Sequence, residues 1–211
     1  MMTRMLIVDD HEVLRDGVKR VFEKQPGMPT FGEASTVNEA LRLVREQDWD
    51  VVVLDISLGD RSGLEVLKEL KQIRPQLPVL VLSMHSEGQF ARRAFKAGAA
   101  GYVTKDSPRA ELVKAINKVA EGGRYVSHAL AEELVIDLER GTDRPRHETL
   151  SDREFEVMRL IASSKTVSEI ASLLSLSEST ISTYRGRILE KMRMKTSAEL
   201  THYAIQNKLV D

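Results

Sequence analysis

Four short apolar runs in the first half of the chain each end on a residue suited to phosphate or metal chemistry. MLIV (5–8) runs into Asp9 and Asp10, VVVL (51–54) into Asp55, PVLVL (78–82) into Ser83, and GYVT (101–104) into Lys105. Such runs have the pattern of strands buried on both faces, and a buried strand does not end on an acid without a partner for the charge. In a doubly wound sheet the carboxyl ends of the strands share one rim. Three carboxylates, a hydroxyl and an ammonium would then meet there. Carboxylates held together repel unless a cation joins them. A small hard dication that keeps several waters, magnesium, suits carboxylate and phosphate ligands. A carboxylate can attack a phosphoryl group to give an acyl phosphate. The metal neutralises developing charge, the hydroxyl binds a phosphoryl oxygen and the lysine adds a second positive contact. Taken singly the residues have plainer roles. Asp9 with Glu12 has capping-box spacing, Ser83 suits a loop and Lys105 a surface. Their conjunction, at the ends of different runs, favours the chemistry.

The elements between these residues alternate. HEVLRDGVKRVFEKQ (11–25) places Val13, Leu14, Val18, Val21 and Phe22 on one helical stripe. TFGEAS (30–35) is a weaker strand, and helical patterns recur at 37–47, 63–73, 87–98 and 107–123. In the last of these, Ser107 is a cap candidate and Pro108 the first helical residue. Strand and helix alternate about five times, which predicts a parallel, doubly wound α/β sheet.

Composition sets the outer bounds. The chain has 211 residues, 30% charged and 42% hydrophobic, with a formal net charge of −1 and no cysteine. The length suits one large domain or two small ones. Disulfides and thiol catalysis are excluded. The charge gives no global support to nucleic-acid binding, so any basic surface is local. The N-terminus is too short and too acidic in its apolar run for a signal peptide, and no segment approaches the roughly 18 apolar residues of a spanning helix. The expected location is the cytoplasm, with no membrane partner.

The chain changes character after about residue 122. SHALAEELVIDLER (127–140) has a short helical pattern with Leu130, Leu134 and Leu138 on one face, and GTDRPRHET (141–149) is polar with glycine and proline. These give a first domain over 1–122, a linker over 123–146 and a small all-α domain over 147–211. In that last part TVSEIASLLSLSESTISTYRGRILEKM has a helix–turn–helix pattern. Ile170, Ala171 and Leu174 face inward on its first helix; Ile181, Ile188 and Met192 do so on its second. The opposite face of the second offers Ser179, Ser182, Thr183, Gly186 and Arg187. Arg185, Arg187, Lys191, Arg193 and Lys195 form a basic cluster interrupted only by Glu190. Small polar residues at the start of an exposed helix approach bases or phosphates, and a local basic patch contacts phosphates. A solvated basic helix face has the same periodicity.

The blocks VDDHEVLR, VVVLDISL…SG, VLSMHSE and AGAAGYVTKD, in that order and spacing, resemble the receiver domain of bacterial response regulators over about residues 3–122. LSDREFEVMRLIASSKTVSEIASLLSLSESTISTYRGRILEKM with KTSAEL resembles the LuxR-type helix-turn-helix domain over about 147–210. Together they resemble the NarL/FixJ family of transcription factors, nearest its GacA/UvrY branch. The resemblance implies a CheY-like, flavodoxin-like receiver fold. It implies that Asp55 accepts a phosphoryl group from a cognate histidine kinase. Asp9, Asp10, Asp55 and the backbone carbonyl of Ile56 would hold Mg2+, Ser83 and Lys105 would read the phosphate, and Tyr102 takes the aromatic switch position. It further implies a phosphorylation-dependent homodimer whose modules bind double-stranded promoter DNA as an inverted repeat. Ser179, Ser182, Thr183, Arg185, Gly186, Arg187 and Lys191 are the expected contact residues. Masking of the recognition helix before phosphorylation, and inward movement of Ser83 and Tyr102 after it, are expected by the same analogy.

The sequence departs from the family in several places. Gly59 stands near a usual proline and Asp60 adds charge beside it. Asp106 follows Lys105 where many receivers have proline. Ser182 and Tyr184 replace a common lysine and histidine, so base readout is expected to lean on water or shape. Ser57 and His85 lie near the acid cluster, with loop surface as their plainer role. A magnesium-dependent phosphatase is the rival enzyme, but it wants an acid where Ser57 stands. A second rival has the C-terminal helices bind protein, and the polar face of the second helix argues against it. The expectation is a regulator and not an enzyme.

Overall fold

The computed structural model describes residues 3–23, 28–58, 61–84, 87–128, 130–132, 145–207 and 209–210. The chain divides into two compact units, Met1–Glu139 and Arg140–Asp211.

In the first unit, strands β1 (Arg4–Val8), β2 (Thr30–Ala34), β3 (Val51–Asp55), β6 (Val79–Ser83) and β7 (Gly101–Thr104) form one parallel sheet in the order β2-β1-β3-β6-β7. Helices α1 (Glu12–Phe22), α2 (Val37–Glu46), α3 (Gly63–Ile73) and α4 (Glu87–Lys96) make the four crossovers, and α5 (Arg109–Ala120) follows the last strand and packs back on the sheet. Every residue of β3 and β6 is buried, as helices on both faces require. Met5, Ile7, Val51, Val53, Leu80 and Leu82 pack with Val18 and Phe22 of α1 and Ala115, Ile116 and Val119 of α5. The alternate residues Leu6, Val8, Val52 and Leu54 are buried on the other face. Strand order reverses between β1 and β3, the place where open α/β sheets bind ligands.

Two local expectations change, and one alternative is set aside. Val13 is 81% exposed, because only Val18 and Phe22 of the α1 stripe reach full burial while the first turn projects outward. The N-cap of α5 is Pro108, not Ser107; Ser107 Oγ lies 2.9 Å from Thr104 Oγ1 instead. Asp9 does not cap α1, whose N-cap is His11. Asp9 Oδ1 accepts from the His11 backbone N–H at 2.8 Å. The sequence also hides a two-residue antiparallel pair, β4 (Ser57–Leu58) with β5 (Arg61–Ser62), directly after Asp55.

After α5, Tyr125 N–H donates to the Ala100 carbonyl at 2.9 Å and the tyrosine hydroxyl lies 2.8 Å from Glu111 Oε1. Of the helical pattern at 127–140, Ser127 Oγ accepts from Leu130 N–H and Leu130 is buried; Leu134 and Leu138 lie outside the described residues, as do Gly59, Asp60 and His85.

The second unit begins with a 3-10 turn, Arg146–Thr149, followed by α6 (Asp152–Ala162), α7 (Val167–Leu173), α8 (Glu178–Met192) and α9 (Ser197–Gln206). Ser151, Thr166, Ser177 and Thr196 cap the four helices through their hydroxyls, with full capping boxes to Glu154 and Glu169. Helix α6 packs on α8 and α9, and α7 packs on α8. Ile170, Ala171, Leu174, Ile181, Ile188 and Met192 are all buried, so both helices of the helix–turn–helix turn the expected faces inward.

Candidate functional site

Asp9 and Asp55 leave neighbouring strands at the switch point and are both buried, 3% and 2% exposed. Lys105, at the end of β7, reaches between them. Its Nζ stands 2.8 Å from Asp55 Oδ2 and 3.0 Å from Asp9 Oδ2. The loop that carries Lys105 is fixed to β6 by its N–H, which donates to the Ser83 carbonyl at 2.7 Å. Ser83 is fully buried one strand away from Asp55. Asp10 lies at the outer side of the cluster, with a carboxylate oxygen 2.7 Å from His11 Nδ1. Ligand atoms of Asp9, Asp10, His11 and Asp55 all lie within 4.8 Å of one another.

Three carboxylates against one ammonium leave this pocket with excess negative charge, and two of the three acids have little water around them. That donor set fits a hard dication, which restores neutrality through oxygen ligands. Ile56, whose carbonyl the resemblance adds to the set, is 2% exposed, and that carbonyl accepts from Gly63 N–H at 2.8 Å. A carbonyl has a second lone pair, so this bond leaves it able to ligate.

Tyr102 lies on β7 opposite Val81 and is fully buried. The ring is therefore already in the interior in this structure.

Three residues at the site escaped sequence reasoning. His11 joins the acid cluster from the loop before α1. Arg15 donates to the Asp9 carbonyl at 2.8 Å and to Glu33 Oε2 at 3.0 Å, bracing the loop that holds both acids. Hydrogen bonds from Lys19, and then from Arg15, hold the Glu33 carboxyl below its usual range despite partial burial. Gly63 lies against the Asp55–Ile56 backbone. The signal for His11 and Arg15 was their place one and five residues after Asp10.

In the second unit, Ser179, Ser182, Thr183, Arg185, Gly186 and Arg187 are exposed along α8. A Cβ on Gly186 would meet nothing within 4 Å, so packing does not demand glycine there. Thr183 Oγ1 donates to the Ser179 carbonyl at 2.9 Å, which leaves its oxygen as an acceptor. Lys191 is exposed on α8 as well and forms an ion pair. Its Nζ lies 2.6 Å from Glu154 Oε2, the same oxygen that accepts the Ser151 N–H in the α6 capping box. Burial raises the Glu154 pKa, but bonds from Lys191 and Ser151 outweigh it and leave the carboxyl below its ordinary range.

Residues 5–117 match the response regulator receiver domain family, and residues 148–204 match the luxR family of bacterial regulatory proteins. The response regulator UvrY of Escherichia coli K12 is 34% identical over 209 residues, which are 99% of this chain and 96% of that protein. The response regulator GacA of Pseudomonas aeruginosa is 35% identical over 212 residues, covering 100% of this chain and 99% of GacA. Among solved structures, a LuxR-family two-component response regulator from Aurantimonas sp. SI85-9A1 is 39% identical with a TM-score of 0.61, over 65% of this chain and 98% of that one. The response regulator RcsB in its DNA complex shares the fold at 24% identity and a TM-score of 0.60, over 96% of this chain and 98% of that one. The chain belongs to the response regulators that join a receiver domain to a LuxR-type DNA-binding domain.

Proposed function

We propose that this chain is a phosphorylation-switched transcriptional regulator of the cytoplasm, and that Asp55 is its phosphoacceptor. The observation that carries this reading is the Asp55 carboxylate, buried at the sheet's switch point and 2.8 Å from the Lys105 ammonium. The donor is a phosphohistidine of a cognate kinase. An Asp55 oxygen attacks phosphorus, the P–O bond forms as the P–N bond breaks, and the kinase histidine keeps the electron pair. Lys105 receives a phosphoryl oxygen in exchange for part of its contact with Asp55, and the Ser83 hydroxyl donates to another. Asp9, Asp10, Asp55 and the Ile56 carbonyl would hold magnesium, which when bound neutralises the charge of the incoming phosphoryl group. The chain acts as acceptor and switch, not as a turnover enzyme.

The output is DNA binding through α8. Arg185 and Arg187 contact phosphates or base edges, and Ser179, Ser182, Thr183 and Gly186 allow close approach to the groove. Lys191 contributes chiefly through Glu154 and holds the helix in place. Phosphorylation promotes a homodimer whose two modules read an inverted repeat in double-stranded promoter DNA. Among the described residues no helix is long and apolar enough to cross a membrane.

Acetyl phosphate with magnesium tests the acceptor. Intact mass and light scattering are followed on wild type and on Asp55→Asn. A single added phosphoryl group in wild type alone, with a shift toward dimer, is the expected result. Equal labelling of the variant would remove Asp55 from this role.

A further inference from the structure

We infer that His11 is a fourth protein donor to the acid cluster, and that it gives the site a preference for borderline transition dications over magnesium. The inference rests on the reading of Asp9, Asp10 and Asp55 as a metal site and adds a nitrogen ligand to it. His11 Nδ1 lies 2.7 Å from Asp10 Oδ1 and 3.3 Å from Asp9 Oδ1. In an octahedral shell with bonds of about 2.1 Å, neighbouring donors stand about 3 Å apart. The imidazole nitrogen thus stands at adjacent-ligand spacing from each of these two oxygens, and a bound ion would replace the proton that it shares with Asp10 in the free protein. The other oxygen of Asp9 is held by Lys105, so Oδ1 is the one turned to His11.

The backbone fixes the arrangement before any ion arrives. The His11 N–H is bonded to Asp9 Oδ1 and the His11 carbonyl accepts from Leu14 and Arg15 N–H, so the residue is tied at both ends. The side chain is 65% exposed, so with Nδ1 as ligand the Nε2 proton has water as its partner. Imidazole adds little for magnesium, which prefers oxygen and keeps its waters, and much for cobalt, nickel or zinc.

The test is a binding titration of tag-free full chain with cobalt(II) and with magnesium, without any phosphoryl donor. Affinity and the visible cobalt spectrum are both read. Wild type should bind cobalt more tightly than magnesium. His11→Ala should weaken cobalt by at least about tenfold and change magnesium less than about twofold, with loss of the nitrogen-ligated cobalt spectrum. His11→Asn should behave as His11→Ala, since an amide restores hydrogen bonding to Asp10 but not the imidazole ligand. Asp55→Asn should weaken both ions, which places cobalt in this cluster. Unchanged cobalt binding in His11→Ala would overturn the inference. So would an equal loss of both ions, which would make His11 a brace for the acid loop, or cobalt binding that survives Asp55→Asn. Failure of acetyl phosphate labelling would strike the acceptor reading alone, because the titration involves no phosphoryl transfer.

Discussion

A methyl group at position 63 would lie 2.4 Å from the Asp55 carbonyl oxygen and 2.5 Å from the Ile56 Cα. Both neighbours are backbone, so neither can swing aside, and Gly63 is the residue that lets α3 start against the end of β3. Gly63→Ala is expected to destabilise the first unit by about 2–3 kcal/mol and to slow phosphoryl labelling, because relief requires Asp55 or Ile56 to move. Chemical denaturation followed by the indole of Trp49, which sits against Gly32 of β2, measures the first effect. An unchanged midpoint would mean that the paired strands β4 and β5 yield at no cost. Asp9, Asp55 and Lys105 were legible in the sequence because each follows an apolar run, and register alone carries strand ends to one rim. Gly63 was not, since a glycine before a helix has many reasons to be there and its contact lies across a loop. The ion pair of Lys191 was illegible for the same reason: its partner, Glu154, is 37 residues away, and a charge pattern sees only neighbours.

At the scale of elements, the strands that bury both faces were the easiest to find, and β3 over Val51–Asp55 coincides with its apolar run. The pair β4 and β5 was invisible because two-residue strands have no periodicity to detect. The first turn of α1 was misjudged because helical spacing cannot tell where a helix passes the edge of the sheet, leaving Val13 in water. The clamps of the second unit were hidden too. Arg153 and Glu156 are 3% and 2% exposed and pair at 2.7 Å, and Arg153 also donates to the Leu174 carbonyl at 3.0 Å, joining α6 to the turn before α8. Arg153→Met should cost about 3–5 kcal/mol, because it removes the cation paired with the buried Glu156 carboxylate. Replacing both residues by apolar ones should recover most of the loss, and a double-mutant cycle in denaturant reads the coupling. The Glu154–Lys191 pair links α6 to α8 near the surface, and Lys191→Ala should cost about 1 kcal/mol. The Glu154 pKa in the folded protein lies below the usual glutamate value of 4.5. Its contribution is therefore complete above that value and is lost as pH falls through the lowered pKa. Hydrogen exchange of α6 and α8 in the full chain should lose protection on acidification, and lose it at higher pH in Lys191→Ala. Coincident acid profiles for the two proteins would show that the pair does not set the pH dependence.

For the whole molecule, a formal charge of −1 means that DNA affinity must come from a local surface and, on the proposed reading, from pairing two such surfaces. Affinity then depends on how many phosphates are neutralised at once. Each contact releases condensed counterions, so log K falls with log salt at a slope of about −0.9 per phosphate contacted. A phosphorylated dimer engages two copies of α8 and an unphosphorylated monomer one, so the slope should about double on treatment with acetyl phosphate and magnesium. Arg187→Ala should weaken binding at least several-fold at fixed salt. It should lower the slope by about one per module engaged, hence by about two in the dimer. Loss of affinity with an unchanged slope would instead assign Arg187 to a base edge, where one bidentate contact is worth about 1–3 kcal/mol and depends on sequence. A slope that phosphorylation leaves unaltered would break the link between Asp55 and the pairing of modules, even if Asp55 carries the phosphoryl group. Fluorescence anisotropy on one inverted-repeat duplex, from low to moderate salt and in both phosphorylation states, distinguishes these outcomes without separating the two units of the chain.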